Sequence, residues 1–329
     1  MDAARALREI AFWLERAGAP TYRVRAFRRA AAVVDELPDL DERVRAGRLT
    51  ELDGIGRTTA AVIDAAHRGR TPEYLARLRS EADVPEHGAQ LRAALRGDCH
   101  THSDWSDGGS PVVEMATTAR DLGHEWVALT DHSPRLKVAR GLSAQRLREQ
   151  LEVVAELNRR LAPFRVLTGI EVDILADGSL DQEEELLAQL DVVVASAHSE
   201  LRMPAAQMTR RLCAAVANPH VDVLGHCTGR LIGAKKRPQS TFDATAVFQA
   251  CRDHGVAVEI NSRPDRLDPP RELIRLARDT GCLFSIDSDA HAPGQLDWLA
   301  HGCARAEECG VTPEQVVNTR TAEELLARR

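Results

Sequence analysis

Beyond residue 96 the chain alternates short apolar runs, rich in β-branched side chains, with amphipathic stretches of helical period. The runs fall at 97–102, 126–131, 165–174, 191–197, 221–226, 256–261 and 282–288. Unbroken apolar runs of this length suit strands buried on both faces, and the helical stretches between them suit parallel crossovers. Seven βα units in succession predict an α/β fold whose strands form a parallel barrel.

Parallel barrels gather their chemistry at the C-terminal ends of the strands. Here those ends read Asp98-Cys99-His100-Thr101-His102, Thr130-Asp131-His132-Ser133, Gly169-Ile170-Glu171-Val172-Asp173, Ser196-Ala197-His198-Ser199, Gly225-His226-Cys227-Thr228-Gly229 and Asp287-Ser288-Asp289-Ala290-His291. The i,i+2 spacing of His100 and His102 puts both imidazoles on one face of the first strand, with Asp107 on the loop that follows. Together with His132, Glu171, His198, His226, Asp289 and His291 they make nine candidate metal ligands. Nine are too many for one ion, so a cluster of two or three is expected. Mixed imidazole and carboxylate ligands suit zinc, manganese or iron better than magnesium. Three divalent ions on six neutral histidines and three carboxylates leave a local charge of about +3, enough to attract phosphate into an acidic domain. Glu171 reads as a bridging carboxylate, because a lone acid in an apolar strand is costly unless paired or metal-bound.

Substrate phosphate needs donors beside the ions. Arg230 and Arg263, each directly after a strand end, are the expected contacts, with Arg266 a further candidate. Lys235 and Lys236 are further candidate donors, although Lys235-Lys236-Arg237 reads more simply as a solvated charge run, and Trp105, between His102 and Asp107, reads as a substrate contact or, more simply, as the cover of a core edge. His67, His87, His124, His220, His254 and His301 lack ligand-spaced partners and are expected to be structural.

The first 96 residues have a different character. Amphipathic segments near 2–17, 23–36, 39–46, 58–67 and 72–79, broken by Gly18, Pro20, Pro38, Gly47 and Gly54, predict a small all-helical domain over 1–90, joined to the barrel domain at 97–329. Residues 1–96 hold 17 arginines against 15 acids, a net +2, whereas the remainder carries −9 of the chain's −7. The positive residues concentrate in Arg23-Val24-Arg25-Ala26-Phe27-Arg28-Arg29, where Val24 and Phe27 pack inward and leave guanidinium groups to phosphate or water. In Asp53-Gly54-Ile55-Gly56-Arg57-Thr58, two glycines flank a buried pivot and precede a helix N-terminus whose N–H groups face outward. This hairpin resembles that of a helix-hairpin-helix DNA-binding element, and the resemblance implies Arg25, Arg28, Arg29, Gly54, Ile55, Gly56, Arg57 and Thr58 as DNA contacts.

No run approaches the roughly 20 apolar residues that cross a bilayer, so no membrane association is expected. Seven cysteines, odd in number and without a C-x-x-C pair, fit small buried hydrophobes in a reduced, cytoplasmic compartment rather than a disulfide or zinc-finger framework.

These motifs carry a resemblance. D-C-H-T-H-S-D-W-S-D-G, T-D-H-S, G-I-E-V-D, S-A-H-S, G-H-C-T-G-R and D-S-D-A-H, in that order, resemble the polymerase and histidinol phosphatase (PHP) family across residues 97–329. The resemblance implies a distorted (β/α)7 TIM-like barrel, a trinuclear metal site on the nine residues above, Asp131 beside the ligands, and phosphoester hydrolysis by a metal-bridged hydroxide. The front segment, through A-P-T-Y-R-V-R-A-F-R-R-A-A and G-R-L-T-E-L-D-G-I-G, resembles the helix-hairpin-helix domain that begins bacterial family X DNA polymerases. No polymerase palm fits between residues 80 and 97. The front segment also contains no lysine, which sugar-lyase chemistry through a Schiff base would need.

Two enzyme readings follow: a phosphoesterase acting on DNA, as a 3′–5′ exonuclease or 3′-end phosphatase in a repair-like role, or a small-molecule phosphatase of the histidinol-phosphate type with an accessory helical domain. A non-catalytic DNA-binding module is disfavoured, since nine polar groups held together without metal would destabilise the fold. DNA ends or a phosphomonoester are the expected partners.

Overall fold

The computed structural model describes residues 2–327. The chain divides into two compact units, Met1–Val84 and Pro85–Arg329.

The first unit is helical: α1 (Ala3–Arg16), α2 (Thr21–Asp35), α3 (Leu40–Ala46), α4 (Arg57–His67) and α5 (Glu73–Ser80). Asp2 caps α1 by accepting from the Arg5 N–H at 2.7 Å, and Gly47 ends α3 in the left-handed region at φ 67°. Leu7, Ile10, Leu14, Val24, Phe27, Ile55, Val62, Ile63 and Leu75 form one core. Ile55 is buried between Gly54 and Gly56 as the spacing predicts. Gly54 takes φ 90°, and a side chain there would also run into Arg29, which explains glycine at the hairpin.

The second unit begins with α6 (Ala89–Ala94), whose Leu91 buries in the barrel core together with Leu95. The unit boundary therefore falls ahead of this short helix. Among the described residues seven strands follow: β1 (Gly97–Thr101), β2 (Trp126–Leu129), β3 (Arg165–Asp173), β4 (Val192–Ser196), β5 (Val223–Leu224), β6 (Ala257–Asn261) and β7 (Phe284–Asp287). They lie in sequence order and are all parallel. A bridge from Thr101 to Ala290 and the His102 N–H bond to the Ala290 carbonyl at 2.8 Å bring the first strand to the last, so the barrel is nearly closed.

The distortion is visible at β3. Its first half, Arg165–Thr168, pairs with β2, and its second half, Gly169–Asp173, pairs with β4. Gly169 stands at that switch, where a Cβ would press on the Val192 carbonyl and on Thr130. Around the strands pack α7 (Val112–Asp121), α8 (Ala144–Leu161), α9 (Glu184–Leu187), α10 (Ala205–Val216), α11 (Ala244–His254), α12 (Arg271–Thr280), α13 (Leu299–Glu308) and α14 (Ala322–Leu326). No described helix is long and apolar enough to cross a membrane. All seven cysteines are free thiols, and all but Cys213 are buried.

Candidate metal centre

The nine candidate ligands come from the C-terminal halves of the strands and the loops that follow them, and the barrel brings them into one network, buried at its floor and open at Asp107, His198 and His291. Glu171, in the second half of β3, lies at its centre. Its Oε2 is 3.4 Å from Nε2 of His100, 3.6 Å from Nε2 of His102 and 2.7 Å from Nδ1 of His132. Its Oε1 is 2.8 Å from Nε2 of His226 and 3.2 Å from Nε2 of His198. Asp107, on the loop after β1, reaches the opposite side, with Oδ1 3.5 Å from Nε2 of His132 and 3.3 Å from Nε2 of His291. Asp289 lies 3.5 Å from Nε2 of His102 and 3.6 Å from Nδ1 of His291. Asp289 is held in the left-handed region at φ 52°, a strained backbone for a non-glycine residue that aims its carboxylate inward from the end of β7.

These residues fit a divalent-metal cluster on two counts. His102–Asp107–His132–His291, His100–His102–Glu171 and His132–Glu171–His198 each offer ligand atoms within 4.8 Å of one another. Nε2 of His100 and His198, both ring nitrogens of His102 and Oε2 of Glu171 are also buried without a hydrogen-bond partner. Buried polar atoms are normally satisfied, and a set of unsatisfied lone pairs converging on shared space is what ions would complete.

Electrostatics set the charge of each group in the metal-free cluster. Burial penalises the Glu171 carboxylate, but His100, His198 and His132 outweigh it and hold its pKa well below the usual range. Burial likewise opposes the His198 cation, yet Glu171 and Asp173 lift its pKa to about 9. His102 goes the other way, pushed well down by burial and by the neighbouring His291 and His132. Burial and the Arg266 guanidinium push His226 down to about 4.

A set of buried side chains orients these ligands. Oε1 of Glu259 lies 2.6 Å from Nδ1 of His100, and Oδ1 of Asp173 lies 3.2 Å from Nδ1 of His198. Nδ2 of Asn261 donates to Asp289 at 3.1 Å. Glu259 and Asn261 are absent from the sequence reading, although Glu259 in Ala257-Val258-Glu259-Ile260-Asn261 carries the same signal as Glu171: one acid inside an apolar strand.

The expected non-ligand residues take varied positions. The Asp131 carboxylate accepts from the Ser103 N–H at 2.8 Å, the Ser103 hydroxyl at 2.6 Å and Gln150 at 2.7 Å, and from the Ser106 hydroxyl. Four donors engage it, and through Ser103 and Ser106 it holds the loop that carries Asp107. Arg230 is engaged by the backbone. Its Nε donates to the Arg266 carbonyl at 3.1 Å and its Nη2 to the Leu267 carbonyl, which clamps the loop after β6. Arg263 pairs with Asp265 at 2.8 Å and stands 3.9 Å from Asp289. Arg266 comes closer, with Nε 3.1 Å from Asp289 and Nη1 buried without an acceptor. The Trp105 ring is half-buried against the core, with the Arg146 guanidinium 5.9 Å from its centre.

In the helical unit, Gly54, Gly56, Arg57 and Thr58 line a cleft of about 340 Å³ with Tyr22, Arg23, Phe27 and Tyr74. Arg25 and Arg57 are exposed. Arg28, expected among the DNA contacts, is instead engaged by the buried Glu15, with Nε at 2.9 Å from Oε1 and Nη2 at 3.0 Å from Oε2. Arg29 pairs with Asp53 at 2.5 Å.

Fold and site together define a metal-dependent phosphoesterase built on a seven-stranded parallel barrel. The chain belongs to the PHP family, whose PHP domain matches residues 98–263; the helix-hairpin-helix domain matches residues 1–71. It is 39% identical to the DNA polymerase/3′-5′ exonuclease PolX of Bacillus subtilis over 71% of this chain and 40% of that one. The chain thus spans about two-fifths of the length of that relative. It is 28% identical to a probable phosphatase of Thermoanaerobacter over 68% of this chain and 89% of the relative. A solved histidinol phosphate phosphatase from Lactococcus lactis, complexed with zinc, L-histidinol and phosphate, covers 66% of this chain and 95% of its own, with a TM-score of 0.49 and 18% identity.

Proposed function

We propose that this phosphoesterase acts on DNA, as a 3′–5′ exonuclease or 3′-end phosphatase, using His100, His102, Asp107, His132, Glu171, His198, His226, Asp289 and His291 to hold up to three divalent ions. Zinc, manganese and iron all suit the donor set. The observation that carries the phosphoester chemistry is the Glu171 carboxylate ringed by five imidazoles, with ring nitrogens left over for metal.

Bound divalent ions would supply Lewis acidity at the phosphoryl group and acidify the water that attacks phosphorus. The chain's own residues do the rest. Arg266, and Arg263 behind it, stand where a guanidinium can donate to a non-bridging phosphate oxygen, and Arg230 fixes that loop. Glu259 and Asp173 hold the rings of His100 and His198 so that each presents Nε2 inward.

The DNA reading rests on the helical unit. The first turn of α4 leaves the N–H groups of Arg57 and Thr58 without intrahelical acceptors, in a cleft shared with Arg23, and Arg25 and Arg57 are exposed, an arrangement suited to phosphate. The likeness to PolX supports the same reading. The second reading, a small-molecule phosphatase, is favoured by the likeness to a probable phosphatase that is covered over 89% of its own length. Binding of 3′-labelled DNA by the full chain decides between them. Arg25→Ala with Arg57→Ala should weaken binding and lower its salt dependence, and unchanged affinity would remove the DNA role from this unit.

A further inference from the structure

The sequence contains three lysines, Lys137, Lys235 and Lys236, and the barrel places all of them on two loops at its C-terminal mouth. Lys137 lies on the loop after β2, closed where the Leu142 N–H donates to the His132 carbonyl at 2.7 Å. From Ser133 to Arg148 that segment carries Arg135, Lys137, Arg140, Arg146 and Arg148 and no acid. Lys235 and Lys236 lie at the tip of a hairpin after β5, in which Leu231 and Arg237 exchange backbone hydrogen bonds at 2.9 and 3.0 Å. From Cys227 to Phe242 there is again no acid. Two base-rich loops in a barrel domain of net −9 call for a reason.

Both loops have the same build. Arginines turn inward and fasten them: Arg140 donates to the carbonyls of Asp104 and Ser106, Arg146 to those of Trp105 and Arg140, and Arg237 to that of Gly229 at 2.6 Å. The hairpin is also tied by the Ile232 N–H to the Asp265 carbonyl at 2.7 Å. The lysines point outward, exposed, and no carboxylate of the described residues pairs with them. Each loop also carries an exposed aliphatic side chain, Val138 at 90% and Ile232 at 45% exposure. Fastened loops that leave their cations unpaired are suited to a partner that brings the negative charge.

In the strand order β1 to β7, β2 and β5 are separated by two strands one way and three the other, so the loops stand on opposite sides of the ring. A polyanion touching both must cross the mouth, over the cluster around Glu171. The floor of that cluster is buried, with His100 and His102 at 0% exposure, and it opens to solvent only at its rim, through Asp107, His198 and His291, a recess that suits a single strand better than a stiff duplex.

We propose that the two loops form a track for single-stranded nucleic acid, with Arg135 and Lys137 on one side and Lys235 and Lys236 on the other contacting phosphates that flank the hydrolysed one. Val138 and Ile232 contact base faces between them. The track rests on the DNA reading above and adds to it where the strand lies.

The lysines themselves are the probe. The metal-loaded full chain is acylated with an amine-reactive ester, with and without a phosphorothioate single strand of about twelve nucleotides, and its peptides are read by mass spectrometry. The helical unit holds no lysine, so its own DNA binding is silent in this measurement. Acylation of Lys137 and of Lys235/Lys236 should slow by about five-fold or more and recover as salt rises. In parallel, Lys137→Glu with Lys235→Glu should raise KM for a single-stranded oligonucleotide at least ten-fold while turnover of p-nitrophenyl phosphate stays unchanged. Unprotected lysines, or equal protection by a mononucleotide, would overturn the track. Hydrolysis of the unmodified strand by the wild-type chain is scored separately, so hydrolysis without protection sinks the track alone, and no hydrolysis of any strand sinks the DNA reading.

Discussion

The Glu259 carboxylate meets Nδ1 of His100 at 2.6 Å, deep beneath the cluster and fully buried. Such a contact fixes the proton on Nδ1 and leaves the Nε2 lone pair facing Glu171, where it has no other partner. The ligand is thus oriented from a different strand, β6, from the one that carries it.

Glu259→Gln keeps the shape and removes the charge. The expected outcome is divalent-metal affinity about 10–100-fold weaker, the range for loss of such a partner. Calorimetric titration of manganese into the metal-free chain checks this. Unchanged affinity would mean that Glu259 does not govern the ligand.

Chelation should lower the thermal midpoint of the barrel unit, and manganese or zinc should restore it. The physical cause is that ions binding only the folded cluster stabilise it by mass action, and the buried ring nitrogens of His100, His102 and His198 otherwise stay unsatisfied. Scanning calorimetry with and without chelator reads the difference. Identical midpoints after confirmed metal loss would contradict the cluster.

How much of this was legible in the sequence follows from which forces act locally. Strand positions and ligand placement were readable because buried strands demand apolar runs and a parallel barrel puts their ends on one face. Hydrogen-bonding partners far apart in sequence were not. Nothing near Arg28 shows that Glu15, on the preceding helix, takes its guanidinium, and nothing near Asp131 announces Gln150. Glu259 was readable in principle, since a charge inside an apolar strand carries the same cost there as at Glu171. It lacked only a neighbouring histidine to draw the eye.

Arg25 and Arg28, three residues apart, should behave oppositely. Arg28→Ala leaves the buried Glu15 carboxylate without its two-point partner and should cost about 1–3 kcal/mol, between the range of a surface pair and that of a buried one. Arg25→Ala should leave stability unchanged and reduce the slope of log affinity against log salt for DNA by about one. Urea denaturation and DNA titrations at several salt concentrations check both. A destabilised Arg25 variant would reverse the assignment.

His124 gives the barrel unit an acid-sensitive element. Burial, then the nearby Arg92 guanidinium, pushes its pKa down to about 3. In the unfolded chain it titrates at about 6.5 and binds a proton that the folded chain refuses. Its stabilising contribution is fully present above pH 6.5 and declines as pH falls toward 3, at no more than about 1.4 kcal/mol per unit. His124→Gln should therefore flatten the fall in urea midpoint between pH 7 and 4 relative to wild type. Parallel curves would contradict the assignment.

We propose that the Glu171-centred cluster hydrolyses phosphoesters of DNA with divalent metal. Its most direct test is turnover by the manganese-loaded chain on single-stranded, recessed and 3′-phosphorylated DNA beside histidinol phosphate, with His100→Ala/His102→Ala as control. Release of nucleotide or 3′ phosphate by the wild type, abolished by chelation and by the double substitution, is the predicted result. Turnover of histidinol phosphate alone, or DNA hydrolysis that survives the double substitution, would contradict it.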